Sequence, residues 1–145
     1  MDKQNPIEID HDKLVVHLIV PLTPSLNEVN KWRMSKDLKK IFRHRLEQEA
    51  AVLLCLRQTF GPSRQEPLAK KVILHVVRCT DTNRYLDETN LIGGLKTTED
   101  ALVSNGVMPD DTPAHTSWGR IIQLKRKDWG AYKMASTHIY VERAE

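Results

Sequence analysis

KKVILHVVRC, Lys70 to Cys79, is the stretch on which the fold turns. Its core is apolar and β-branched, and the DTNRYLDETN that follows is rich in turn-forming Asp, Thr and Asn, so the spacing predicts a strand. Upstream lies a comparable run, KLVVHLIV (Lys13 to Val20), apolar on both faces, which predicts a central strand. It stops at PLTPS, where two prolines forbid continuation as strand or helix. Between the two strands, Leu38, Ile41, Phe42, Leu46, Ala50, Leu53, Leu56 and Phe60 recur at three- and four-residue steps. That period predicts one long helix from Ser35 to about Phe60 with these residues on a single face, ended by Gly61 and Pro62.

Downstream of Lys70–Cys79 a second helix is expected over Leu91 to Ser104, with Leu91, Ile92, Leu95, Ala101 and Leu102 inward and Asn105-Gly106 as its left-handed stop. Two more strands are expected after the turn-rich PDDTP, around Trp118 to Lys127 and Ser136 to Glu142, parted by a turn near Asp128 to Gly130. The order β-α-β-α-β-β predicts an α+β domain, a single mixed sheet with two main helices packed on it. A chain of 145 residues suits one such domain, residues 13–145, after a loose segment 1–12.

A hydrophobic content of 40% and a charged content of 28% describe an ordinary folded protein. Cys55 and Cys79 are too few for a disulfide framework and are expected as reduced, buried thiols. The opening MDKQNPIEIDHD lacks the features of a signal peptide, and no run approaches the roughly 20 apolar residues of a membrane span. A soluble protein of the cytoplasm, with no membrane partner, is the expectation.

The total charge of +3 is mild, but its distribution is not. Lys31, Arg33, Lys36, Lys39, Lys40, Arg43 and Arg45 face one acid, Asp37, within fifteen residues, a local balance of +6. Such segregation suits a surface that tracks nucleic-acid phosphates, although a basic helix face is often only solvated. Arg120, Lys125, Arg126 and Lys127 form a smaller basic stretch. The six histidines show no paired metal spacing, and no Walker loop, dinucleotide fingerprint or nucleophile elbow is present.

Carboxylates instead gather at the two ends of the second predicted helix, as LDETN (Leu86 to Asn90) and as Asp110-Asp111. Asp87, Glu88, Asn90, Asp110 and Asp111 offer the oxygen ligands that Mg2+ or Mn2+ prefers. A helix of ~14 residues is roughly 21 Å long, and five or six extended residues after Gly106 return roughly 17–20 Å. An antiparallel return therefore can carry Asp110 and Asp111 back toward the helix start. Taken singly, each cluster also suits a helix cap or a turn. Lys96 could balance a carboxylate or stabilise charge on a phosphate. Gly93-Gly94 costs about 1 kcal/mol per residue in a helix, which calls for a close approach by another backbone or a phosphate, or for a kink.

The segment LDETNLIGGLKTTEDALVSNGVMPDD resembles the active-site region of the RusA family of Holliday junction resolvases. The family pattern is an Asp-x-Asp-Asn loop, a nearby Lys, an Asp-Ala-Leu helix, a Gly turn and Asp-Asp. Asp87 matches the first Asp, Asn90 the Asn, Lys96 the Lys, Asp100-Ala101-Leu102 the helix signature, Gly106 the turn and Asp110-Asp111 the final pair. PLTPSLN, Pro21 to Asn27, is similar to the family's Pro-Ser-x-Asn opening, so the resemblance spans Pro21 to Asp111. Thr89 stands where the family has its second Asp, and Ile92-Gly93-Gly94 lengthens the Asn-to-Lys gap.

The resemblance implies a Mg2+-dependent (or Mn2+-dependent) endodeoxyribonuclease acting on branched DNA, the four-way junction, as a homodimer in recombination and repair. Asp87, Lys96 and Asp111 would be catalytic; Asp87, Glu88, Asp110 and Asp111 would hold the metal, with Asn90 and Asp100 in support. The alternative is a junction- or DNA-binding protein of the same ancestry whose cleavage is weak or lost because Thr89 replaces a ligand.

Overall fold

The computed structural model describes residues 7–62 and 66–145. Its elements are β1 (Leu14–Val20), α1 (Leu26–Met34), α2 (Leu38–Phe60), β2 (Val72–Cys79), α3 (Glu88–Gly93), α4 (Lys96–Ser104), β3 (Thr116–Leu124) and β4 (Ser136–Arg143). The four strands form one mixed sheet in the order β1-β4-β2-β3. β4 runs antiparallel to both β1 and β2, whereas β2 and β3 are parallel and joined through α3 and α4. The expected α+β class with a single mixed sheet is therefore present.

The run at Lys70–Cys79 is an inner strand, with every residue from Leu74 to Cys79 buried. Burial pushes the Cys79 thiol up to about 11, while Cys55 is half-buried and both cysteines are free. β1 corrects the sequence expectation, because it lies at the edge of the sheet. His17 and Ile19 alternate outward while Val16, Leu18 and Val20 point to the core, so β1 needs cover on one face only.

The helix expected from Ser35 to about Phe60 is α2, which begins at Leu38, and a shorter helix that was not expected, α1, precedes it. Ser25 caps α1, its Oγ accepting from the Glu28 N–H at 3.1 Å. Asp37 caps α2 in the same way, accepting from the Lys40 N–H at 3.2 Å. Lys36, at φ 55°, makes the turn between them. The face of α2 that looks inward is also not the expected one. Gln48, Val52 and Leu56 are buried, whereas Leu38, Phe42, Leu46 and Leu53 are 61%, 53%, 65% and 38% exposed. Gln48 is tolerated inside because its amide is satisfied at both ends: Nε2 donates to the Pro21 carbonyl at 3.2 Å, and Oε1 accepts from Thr98 Oγ1 at 2.6 Å.

The main core fills the space between the sheet and the two helices α2 and α4, with Leu18, Val52, Leu56, Leu74, Leu102 and Ile139 among its members. The opposite sheet face is covered by Trp129 and by Ile7, which is 4% exposed, with Ile9 packed alongside. Residues 7–9 of the segment expected to be loose are thus part of a second core, and residues 1–6 lie outside the described residues. β3 ends at Leu124 rather than Lys127, and two 3-10 turns carry the chain from there to β4.

The second expected helix is divided, into α3 and α4, at the Gly93-Gly94 pair. A Cβ on Gly94 would stand 1.8 Å from the Pro24 carbonyl oxygen, and one on Gly93 would stand 2.8 Å from Leu26 Cβ. Close approach of another backbone is therefore the reason for the pair. Gly106, at φ 76°, provides the left-handed stop after α4.

Candidate functional site

Both acidic loops are anchored to β3, at different points. Leu86 exchanges two hydrogen bonds with the Gln123 side chain, its N–H donating at 2.8 Å and its carbonyl accepting at 2.7 Å. The Asp110 carbonyl accepts from Thr116 Oγ1 at 2.8 Å, at the other end of the strand. Thr116 and Gln123 are seven residues apart, roughly 23 Å along a strand.

Asp87 is the N-cap of α3. Its Oδ2 accepts from the Asn90 N–H at 3.2 Å, and its Oδ1 accepts from Asn90 Nδ2 at 3.3 Å. Asn90 Oδ1 in turn accepts from the Asn27 N–H at 3.0 Å, so the Asp-x-x-Asn loop holds the PLTPSLN segment. That segment is pinned again where Arg78 donates from Nε and Nη2 to the Thr23 carbonyl at 3.0 and 2.7 Å. Asp87, Glu88 and Thr89 are exposed.

The second set centres on Lys96, the first residue of α4. Its ammonium donates to Asp111 Oδ2 and lies 3.2 Å from Asp100 Oδ1, one turn along the helix. The loop after Gly106 therefore returns to the start of α4. Asp111 Oδ2 is held by this cation, and the Asp111 N–H donates to Asp110 Oδ1 at 2.8 Å. The hydrogen bond from Lys96 holds the Asp111 carboxyl below its ordinary range, and the same bond raises the Lys96 ammonium.

Sequence reasoning passed over Glu99. Burial, with Asp111 and Asp100 adding to it against the opposing pull of Lys96, pushes its carboxyl up to about 7. The available signal was its place three residues after Lys96 and next to Asp100, on neighbouring positions of a helix.

The structure thus brings together Lys96, Asp100 and Asp111 in one set, and Asp87 and Asn90 in another. Among the described residues, Glu88 makes no hydrogen bond or ion pair with either set. Among the described residues, no group of three His, Cys, Asp or Glu side chains is assembled to hold a metal ion. The donor chemistry itself suits a hard divalent cation, since every candidate ligand is an oxygen.

No protein-family model matches the chain, and no curated protein matches it.

All seven basic residues from Lys31 to Arg45 are exposed. Lys31 and Arg33 lie on α1, Lys36 lies in the turn, and the other four lie on α2; the lone acid, Asp37, is spent as a cap. A groove of about 330 Å³ between α1, α2 and α4 joins this segment to the Lys96 set, with Trp32, Arg33, His44, Arg45, Lys96 and Asp100 in its walls. Trp32 meets the His44 ring edge-on at 5.7 Å. His44 Nε2 is buried without a hydrogen-bond partner among the described residues, and burial lowers the pKa of the ring. An unpaired nitrogen in a groove wall is the kind of exception that a bound donor or acceptor would satisfy. Among the described residues, no helix is long and apolar enough to cross a membrane.

Proposed function

We propose that the chain is a metal-dependent endodeoxyribonuclease that cuts branched DNA, working as a homodimer. The observation that carries this reading is the groove that runs from the basic α1–α2 segment to Lys96 and Asp100. A strand whose phosphates are tracked by Lys31, Arg33, Lys36, Lys39 and Lys40 and by Arg43 or Arg45 would lead to a lysine set among carboxylates.

Asp110 and Asp111 beside Lys96, and Asp87 with Glu88 at the start of α3, are the carboxylates that would offer oxygen ligands to Mg2+ or Mn2+. When bound, such an ion orients and activates a water and screens the phosphodiester as negative charge builds. Lys96 would turn its ammonium from Asp111 to the scissile phosphate or the leaving oxygen, where a fixed cation stabilises developing charge. Asp100 keeps the ammonium of Lys96 in place from one turn along α4. Asn90 orients Asp87 through its side-chain amide. The Glu99 carboxyl, with a pKa of about 7, can take up or release a proton near neutrality. A twofold pair of such sites suits a four-way junction, whose own symmetry invites paired cuts.

The test is nicking of a synthetic four-way junction beside linear duplex, in Mg2+ or Mn2+. Asp87→Asn and Asp111→Asn are each expected to abolish junction nicking, and unchanged nicking in both rejects the assignment.

Thr89 favours a second reading, junction binding with weak or lost cleavage. It is exposed in the first turn of α3, where a hydroxyl replaces the family's carboxylate. This reading predicts salt-sensitive junction binding without cutting and activity gained in Thr89→Asp. Vigorous nicking by the unaltered chain excludes it.

A further inference from the structure

Arg78, near the end of β2, is 5% exposed, and among the described residues its charge has no carboxylate partner. Nε and Nη2 donate to the neutral Thr23 carbonyl, and Nη1 makes no hydrogen bond among the described residues. Pinning Thr23 therefore accounts for one edge of the guanidinium fork and leaves the other. A guanidinium taken out of water is costly unless an anion completes its fork. Burial lowers its pKa, with Glu28 and Asp81 pulling the other way from beyond ion-pair distance.

Arg78 lines a cavity of about 440 Å³, within the roughly 300–1,000 Å³ of small-molecule sites. The cavity lies where the chain leaves β2, with Thr80, Thr82 and Arg84 in its wall. β2 and β3 are parallel, and the crevice beyond the carboxyl ends of parallel strands is where ligands settle in open sheets. The Thr82 N–H donates to Thr80 Oγ1 at 3.2 Å, and Thr82 Oγ1 donates to the Arg84 carbonyl at 3.3 Å, so the loop that carries Arg84 is fastened to the strand end. Arg84 is exposed and forms no ion pair among the described residues. Two guanidiniums thus outweigh the one acid of the lining, Glu28, and Leu22, Pro24, Trp32 and Leu86 add apolar surface. Anionic oxygens match the guanidinium forks, and a flat ring matches the indole.

We infer that this cavity binds a nucleotide by its phosphate, with Arg78 and Arg84 on the phosphate oxygens and the base against Trp32. Trp32 also lines the groove that leads to Lys96, so the two recesses are neighbours. No residue assigned to metal or cleavage takes part, and nucleotide binding can fail while the nuclease reading stands. The same phosphate chemistry belongs to a free mononucleotide and to the 5′-phosphorylated end of a DNA strand.

The experiment is titration calorimetry of the full chain in EDTA, with deoxyadenosine 5′-monophosphate, deoxyadenosine, inorganic phosphate, and a short single strand with and without a 5′-phosphate. The mononucleotide is expected to bind about tenfold more tightly, or better, than deoxyadenosine or inorganic phosphate. Tighter binding of the 5′-phosphorylated strand than of its unphosphorylated twin makes a strand end the occupant, and equal binding of the two strands makes it the free nucleotide. Arg84→Ala is expected to weaken mononucleotide binding about tenfold or more with its unfolding midpoint unchanged. Arg78→Lys, checked for folding by circular dichroism, keeps the charge, loses the fork and is expected to weaken binding as much. Glu28→Gln, which removes the acid from the lining, is expected to tighten it about threefold. The inference is overturned by no mononucleotide binding at millimolar concentration, by equal affinity for the mononucleotide and deoxyadenosine, by inorganic phosphate binding as tightly as the mononucleotide, or by unchanged affinity in Arg84→Ala.

Discussion

The two acidic loops flank the same pair of short helices and differ in what satisfies their carboxylates. Asp87 is satisfied from within its own element, by the backbone and side chain of Asn90 three residues on. Asp111 is satisfied from outside, by the Lys96 ammonium fifteen residues earlier in the chain. A capping acid is accounted for by local structure. An acid held by the ammonium of a lysine in a groove wall is not, because that ammonium reaches it from another element and could serve a phosphate instead. The loop after α4 is therefore the stronger marker of chemistry, although the first loop carries the more recognisable motif.

The largest expected effect breaks the join between the loops. Gly94→Ala would force its Cβ into the Pro24 carbonyl oxygen, and neither backbone can yield without displacing the α3–α4 junction from the segment before α1. A loss of about 3 kcal/mol or more is expected, seen as a collapse of the thermal midpoint or failure to fold. Unaltered stability would mean that the α3–α4 junction is not held against the segment before α1 by this contact.

Next is the chemical difference itself. Asp111→Asn should lower junction nicking by about 100-fold or more, about 2.7 kcal/mol at the barrier. Asp87→Asn isolates the chemistry of the other loop, since Asn caps a helix about as well as Asp; its nicking should fall while its unfolding midpoint stays put. If the two carboxylates serve one ion, the double variant loses no more than the worse single one. Additive losses, or separate Mn2+ affinities by calorimetry, would show two independent roles.

A smaller effect concerns pH. Glu99 has a folded pKa of about 7, above its ordinary 4.5, so its contribution to stability is complete below about pH 4.5 and is lost as pH rises through 7. His138, hydrogen-bonded to His17 and pushed down to about 4 chiefly by burial, has the opposite sign. Its contribution is complete above about pH 6.5 and is lost as pH falls through 4. Glu99→Gln should therefore raise the unfolding midpoint at pH 8 relative to pH 5. After discounting for solvent screening the gain is about 1 kcal/mol, roughly 2–4 °C.

The smallest effect sharpens the capping assignment. Asp87→Ala should cost about 1 kcal/mol relative to Asp87→Asn, measurable by urea unfolding. An equal midpoint for the two would remove the cap as the explanation of that loop.

Much of the scaffold was legible because its signals are local. The strand at Lys70–Cys79 and the stop at Asn105-Gly106 each follow from short-range sterics, whereas Gly93-Gly94 signalled a close approach or a kink without saying which, because its partner, Pro24, is distant in sequence. The caps Ser25 and Asp37 were equally local, yet the first was absorbed into PLTPSLN and the second into the basic run, so α1 escaped notice. The face of α2 was not legible. Both sides of that helix carry apolar residues, and periodicity states that a ridge exists without stating what lies against it. In the site, Lys96 and Asp111 were legible as candidates, while their contact and the shifted Glu99 were not, because both depend on how the loop after Gly106 comes home.

Sequence alone determined the four strands, the long helix α2, the stop after Ser104, and that the charge is sorted into one basic stretch and two acidic loops, since propensity, turn chemistry and charge belong to neighbouring residues. Tertiary structure alone decided that β1 stands at the sheet edge, that Gln48 faces inward while Leu46 faces out, and that Asp111 meets Lys96 beside the basic groove. Those outcomes depend on which distant surfaces exclude water from one another, a competition that no single segment contains.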